Sequence, residues 1–198
     1  NYTRQTTTTS RSEVNRETKK EETEKEQEYI KPKDVTISKN MDLTIRTGLS
    51  KEDYKEVIKN LNEFLSELEV MNVKLQNYHW NVTGKGFFIT HEKLEEYYEE
   101  FREHIDEVAE HILALGYEPL GTMQDFIENS EIQEAKNEKI KSLEIIKNII
   151  KDLQTLQQKA IKIKEEAEKQ SDYATSSFID NFLCNYSKKL WMLNETLK

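Results

Sequence analysis

The apolar positions of this chain fall into long runs with a three-and-four spacing, the pattern of helices that each bury one stripe. Tyr54, Val57, Leu61, Phe64, Leu68, Met71, Leu75 and Tyr78 keep that spacing through a first run, which Ser50 caps ahead of Lys51, Glu52 and Asp53. Leu94, Tyr98, Phe101, Ile105, Val108, Ile112 and Leu115 keep it through a second, which starts from a Thr90 cap and stops with Gly116 in the C′ position. A third helix, over roughly 133–169, places Leu143, Ile146, Ile150, Leu153, Leu156, Ala160, Ile163 and Ala167 inward. A fourth, over roughly 174–197, uses Phe178, Phe182, Tyr186, Leu190, Leu193 and Leu197. Pro32 and Pro119 are the only prolines, and residues 49–83, 87–115 and 122–198 contain neither Pro nor Gly. With a connection over 117–132 that holds a short helix at 122–129, the pattern predicts an all-α four-helix bundle with one crossover.

N-terminal of the first run the pattern is lost. The first 28 residues carry Tyr2 and Val14 as their only apolar side chains, against 13 charges and seven Thr, too little to offset the entropy of ordering. The chain therefore divides into a disordered or extended charged tail, 1–45, and a folded domain, 46–198. The tail holds nine basic and nine acidic groups, so the net charge of −9 belongs wholly to the folded part, with its 20 basic and 29 acidic groups. That balance disfavours a polyanion surface, and DNA is not an expected partner. Cys184 is the only cysteine, so no intramolecular disulfide forms, and a buried, inert thiol is expected of it. No apolar run approaches the roughly 18 residues that span a bilayer. A soluble, cytoplasmic protein with no membrane association is expected. The triplets at Asn81, Asn185 and Asn194 satisfy a glycosylation pattern that arises often by chance.

All four histidines, His79, His91, His104 and His111, fall within 33 residues. At 100° per residue with His91 at zero, Glu95 lies at about 40°, Asp106 at about 60° and Glu110 at about 100°, beside an apolar stripe at roughly 240–340°. His104 and His111, at roughly 220° and 200°, read as ordinary surface histidines. Glu95 and Asp106 are eleven residues apart, about 16 Å along a helix, too far to bind one metal from one straight helix. A second copy of the helix, antiparallel across a two-fold axis, brings the Asp106/Glu110 end of one chain to the His91/Glu95 end of the other. His79 can complete each set, because a nine-residue loop, 81–89, returns the chain beside it. Imidazole and carboxylate without thiolate suit iron. The Glu-x-x-His spacing of a di-iron site enclosed in one bundle is absent, since Gln76, Phe88, Phe101 and Val108 precede the four histidines by three.

The segment NYHWNVTGKGFFITHEKLEEYYEEFREHIDEVAEHILALG, residues 77–116, resembles the signature of the Dps miniferritins. Asp172-x-x-Thr175 and Leu190-Trp191-Met192-Leu193 support the match, which covers about 46–198 and leaves out the tail. The resemblance implies a ferritin-like bundle with a short extra helix in its crossover, assembled as a hollow dodecamer. It implies ferroxidase sites shared across two-fold axes, with His79, His91 and Glu95 from one subunit and Asp106 and Glu110 from its mate. Glu95 stands where the family commonly has Asp. Trp80 matches a family tryptophan near the site, which either donates electrons and quenches radicals or is simply packed. The implied function is iron storage and detoxification, with ferrous iron oxidised preferentially by hydrogen peroxide and the ferric mineral stored. Asp172 and Asp180 are the candidate pore acids. The competing reading is a shell that sequesters metal or binds a partner with little turnover.

Overall fold

The computed structural model describes residues 54–198, so the Ser50 cap and the charged tail lie outside the described residues. Among the described residues there are four long helices and one short one: α1 (Lys55–Asn81), α2 (Phe87–Ala114), α3 (Met123–Asn129), α4 (Ser142–Lys169) and α5 (Tyr173–Thr196). Two short strands, β1 (Val82–Thr83) and β2 (Ile140–Lys141), pair in parallel, Val82 opposite Ile140. The bundle with one crossover is as the spacing predicts, and the short helix begins behind Thr122, whose hydroxyl accepts from the Asp125 amide.

Each helix is long because its apolar stripe has something to bury against. The α1 stripe is the spine: Val57, Leu61, Phe64, Leu68, Met71 and Leu75 are fully buried. It packs against α2, α3 and α4, and α4 packs against α5. Phe64 meets Phe182 edge-on at 5.4 Å, and Phe182 and Tyr186 bring α5 to the α2 side of the core. α2 ends as Gly116 predicts. With φ +83°, Gly116 donates to the Leu113 carbonyl, and Tyr117 donates to that of Ile112, which satisfies carbonyls the helix end would leave bare. Ser171 makes the same turn after α4 at φ 60°, a conformation that costs a residue with a Cβ more than glycine.

Several expectations are corrected. The third long helix begins at Ser142, not near 133: residues 133–139 take neither helix nor strand, and Ile140–Lys141 pair with β1. Leu143 is exposed in consequence, and Leu197 is exposed beyond the end of α5. α2 starts at Phe87, capped by Gly86 and not Thr90, so the turn between α1 and α2 is only residues 82–86. Cys184 is exposed, being two residues, about 200°, from both inward-facing Phe182 and Tyr186. Asp172 is buried as the N-cap of α5, accepting from the Thr175 amide, and Asp180 pairs with Lys164 at 2.9 Å. Among the described residues no helix is long and apolar enough to cross a membrane.

The core also holds charge. Lys74 of α1 meets Asp152 of α4 at 2.7 Å, both buried. Further along, Lys159 of α4 bonds Glu63 at 2.8 Å and Glu131 at 3.2 Å, with Glu67 at 3.7 Å. Glu67 is wholly buried, and neither carboxylate oxygen has a hydrogen-bond partner. Loss of solvent pushes its pKa from 4.5 up to about 8, although Lys159 pulls the other way. Folding therefore favours protonated Glu67, and its contribution to stability, full below pH 4.5, is lost as the pH rises toward about 8. Thermal midpoints measured from pH 5 to 9 should fall more steeply for the parent than for Glu67→Gln. Equal slopes would show that Glu67 does not titrate in this way.

Candidate metal centre

The last turn of α1 and the first turns of α2 meet at the short corner, which forces their side chains together. Gly86, at φ +84°, caps α2 and receives the Thr90 amide at 2.9 Å, so the helix starts immediately beyond the turn. That start sets His91 directly over His79. The two rings stack at 3.7 Å with 18° between their planes. His79 Nδ1 lies 2.9 Å from the His91 carbonyl, and His91 Nδ1 lies 2.8 Å from the His79 carbonyl. A carbonyl oxygen only accepts, so each Nδ1 carries the hydrogen and donates it. In the neutral ring, each Nε2 then keeps its lone pair as a metal donor. Main-chain groups here do what orienting partners do around metal-ligating histidines elsewhere.

Two aromatic rings brace the pair. Phe87, one turn before His91 on α2, stacks on it at 5.2 Å, and Tyr98 meets His79 edge-on at 5.4 Å. Tyr98 also hydrogen-bonds Glu95, three residues earlier on the same helix. Tyr98 stands in the apolar stripe that the spacing predicts for the second helix, whereas Phe87, four residues before His91, lies outside it. His79 is buried and His91 half-buried, whereas Glu95, Asp106 and Glu110 stand exposed on the outer face of α2. Trp80, next to His79, is 66% exposed in the single chain, and its carbonyl accepts from Lys139 of the strap before β2 at 3.1 Å.

The structure thus brings His79 and His91 together, with Glu95 one turn along. It does not bring Asp106 and Glu110 to them, since the same continuous helix carries both ends. Among the described residues no three His, Cys, Asp or Glu side chains converge within one chain to hold a metal.

His104 and His111 are not surface residues, contrary to the wheel. His104 packs against Phe182 at 5.0 Å and its ring lies 3.9 Å from Glu100. His111 stacks on Phe178 at 4.3 Å, and its Nε2 lies 2.9 Å from the Thr175 hydroxyl. Burial lowers the pKa of both rings, holding them toward the neutral form. They belong to the seam between α2 and α5.

A family model described as a ferritin-like domain matches residues 58–198. The chain is 39% identical over 144 residues to DNA protection during starvation protein 2 of Bacillus anthracis, spanning 72% of this chain and 97% of that protein. Against DNA protection during starvation protein of Helicobacter pylori it is 34% identical over 142 residues, 72% of this chain and 96% of that one. Among solved structures, the Dps protein from Bacillus brevis superposes with a TM-score of 0.72 at 32% identity, covering 76% of this chain and all of that one. The Dps protein from Vibrio cholerae, described as a member of a broad superfamily of ferritin-like diiron-carboxylate proteins, gives 0.73 at 29% identity, covering 76% and 94%. The bundle, its short crossover helix and these matches agree: this chain belongs to the Dps family of ferritin-like proteins.

Proposed function

We propose that the protein stores and detoxifies iron, oxidising ferrous ions at sites shared between two-fold-related subunits of a hollow dodecamer and keeping the ferric product inside. The observation that carries this reading is the crossed pair of imidazole–carbonyl bonds, which leaves two oriented Nε2 donors, with Glu95 one turn along α2 from His91. The donors are imidazole and carboxylate, a set that suits ferrous iron. Within one chain the set stops at three residues. An antiparallel copy of α2 supplies the Asp106 and Glu110 of the partner subunit, because these lie at the opposite end of the same helix face. The Vibrio cholerae relative, placed among diiron-carboxylate proteins, supports the metal assignment.

The oxidant proposed is hydrogen peroxide. Two ferrous ions give it two electrons, and with water the products are ferric oxyhydroxide and four protons, with no hydroxyl radical released. In this chain His79 and His91 hold the metal through neutral rings, and the carboxylates offset the growing positive charge as iron is oxidised. Trp80, exposed beside His79, is placed to give an electron to any radical formed at the site. The acidic folded domain attracts ferrous cations. The same charge, with a tail of nine basic and nine acidic groups, leaves DNA outside the proposed partners despite the relatives' name.

Replacing both Asp106 and Glu110 with Ala should lower ferrous oxidation by roughly a hundredfold or more while the assembly, followed by sedimentation, stays intact. Oxidation at the parent rate would remove the site assignment. In a low-salt gel shift, the full chain should leave duplex DNA unretarded; tight retention would overturn the charge argument.

A further inference from the structure

Two antiparallel helices related by a two-fold axis match each residue with the one equally far from a common centre. In the shared sites proposed above, His91 is level with the partner subunit's Glu110, and Glu95 with the partner subunit's Asp106. Both pairs are centred between residues 100 and 101. Two further pairs on the same helix face have that centre, although metal binding does not require them to.

Phe88 and Leu113 form the first pair. They are 83% and 50% exposed, and they lie at about 60° and 40° on the wheel, in line with Glu95 and Asp106. Glu99 and Arg102 form the second, at about 80° and 20°, on either side of the centre line. Both are exposed, and neither joins an ion pair within the chain among the described residues. Arg102 is also the only arginine among the described residues. The charged groups around it on this face are Glu95, Glu99, Asp106 and Glu110, all acidic. Doubling such a face across a two-fold axis sets carboxylates against carboxylates, and like charges facing each other oppose docking. Among the described residues, Arg102 is the one fixed cation that this face brings to the middle of the seam.

We propose that this face of α2 docks on a second copy of itself, in a register set by reciprocal ion pairs between Glu99 and the partner subunit's Arg102. Phe88 against the partner subunit's Leu113 closes each end. The proposal rests on the shared-site reading for its centre, but its test reads assembly and not iron.

Arg102→Glu and Glu99→Arg, made separately in the full chain, each leave a single sign of charge at the middle of the seam. At low salt and in sedimentation velocity, each variant alone should associate at least about tenfold more weakly than the parent. Helix content by circular dichroism should be unchanged, because both positions are exposed. An equimolar mixture of the two should recover the parent's assembly, since each variant offers the other the charge it lacks. Within either variant positions 99 and 102 remain alike in charge, so recovery can only come across the seam. A variant that assembles alone as the parent does, or a mixture no better than its components, overturns the proposal. Ferrous oxidation on the same samples separates the two readings: a parent that assembles without oxidising iron overturns the function while recovery in the mixture still supports the register.

Discussion

The corner between α1 and α2 ties the fold to its chemistry through one reciprocal contact. Each imidazole gives its Nδ1 hydrogen to the main chain beneath the other, so each ring is held by its own bond and neither can turn without breaking it. The contact exists only because the turn is five residues long and α2 starts at once behind Gly86. It is held from outside as well. The strap before α4 lays β2 along β1, and Thr83 donates to the Ile140 carbonyl at 3.2 Å. A longer or looser corner would leave the same two histidines free to choose tautomers and rotamers, and the donor pair would not be preformed.

Charge supplies the complementary constraint. The outer face of α2 carries exposed acids at both ends of one rigid helix, and no bend in that helix brings them together. Such a face is poorly satisfied in a lone chain, where repulsion between its carboxylates goes unanswered except by solvent and salt. A second copy turns the geometry to use, because an antiparallel two-fold pair superposes opposite ends. In the proposed pair, assembly and metal binding would both draw on this one helix face. The ion pairs of buried Lys159 act differently: with Glu63 and Glu131 they join α1, α4 and the crossover away from the outer face of α2.

Much of this was legible from residue spacing. The helix stripes, apart from Leu143 and Leu197, the short helix near 122–129 and the Gly116 stop follow local rules, and the structure obeys them. Residues 133–141 were missed because their composition suits a helix, while the pairing of Ile140–Lys141 with β1 and the Lys139 contact to the Trp80 carbonyl hold the end of the segment outside one. His104 and His111 were misplaced because the wheel's apolar arc, drawn from Leu94 to Leu115, is narrower than the face that α2 buries. α2 buries a wider arc, and the aromatic side chains of α5 cover the extra width. At the site, His79, His91 and the carboxylates could be named from spacing. The crossed hydrogen bonds could not, since they depend on the exact start of α2, and helix starts are where sequence signals are weakest.

The central claim is that each metal site is completed by a second chain, and the direct measurement is complementation between two inactive variants. One lacks both histidines, His79→Ala with His91→Ala, and the other lacks both distant acids, Asp106→Ala with Glu110→Ala. Where the two meet across a two-fold axis, one of the two sites regains its full set. Random co-assembly at equal amounts should therefore restore about a quarter of the parent's ferrous oxidation rate, although neither variant has it alone. A co-assembled mixture as inactive as its parts would place the whole site within one chain and contradict the account.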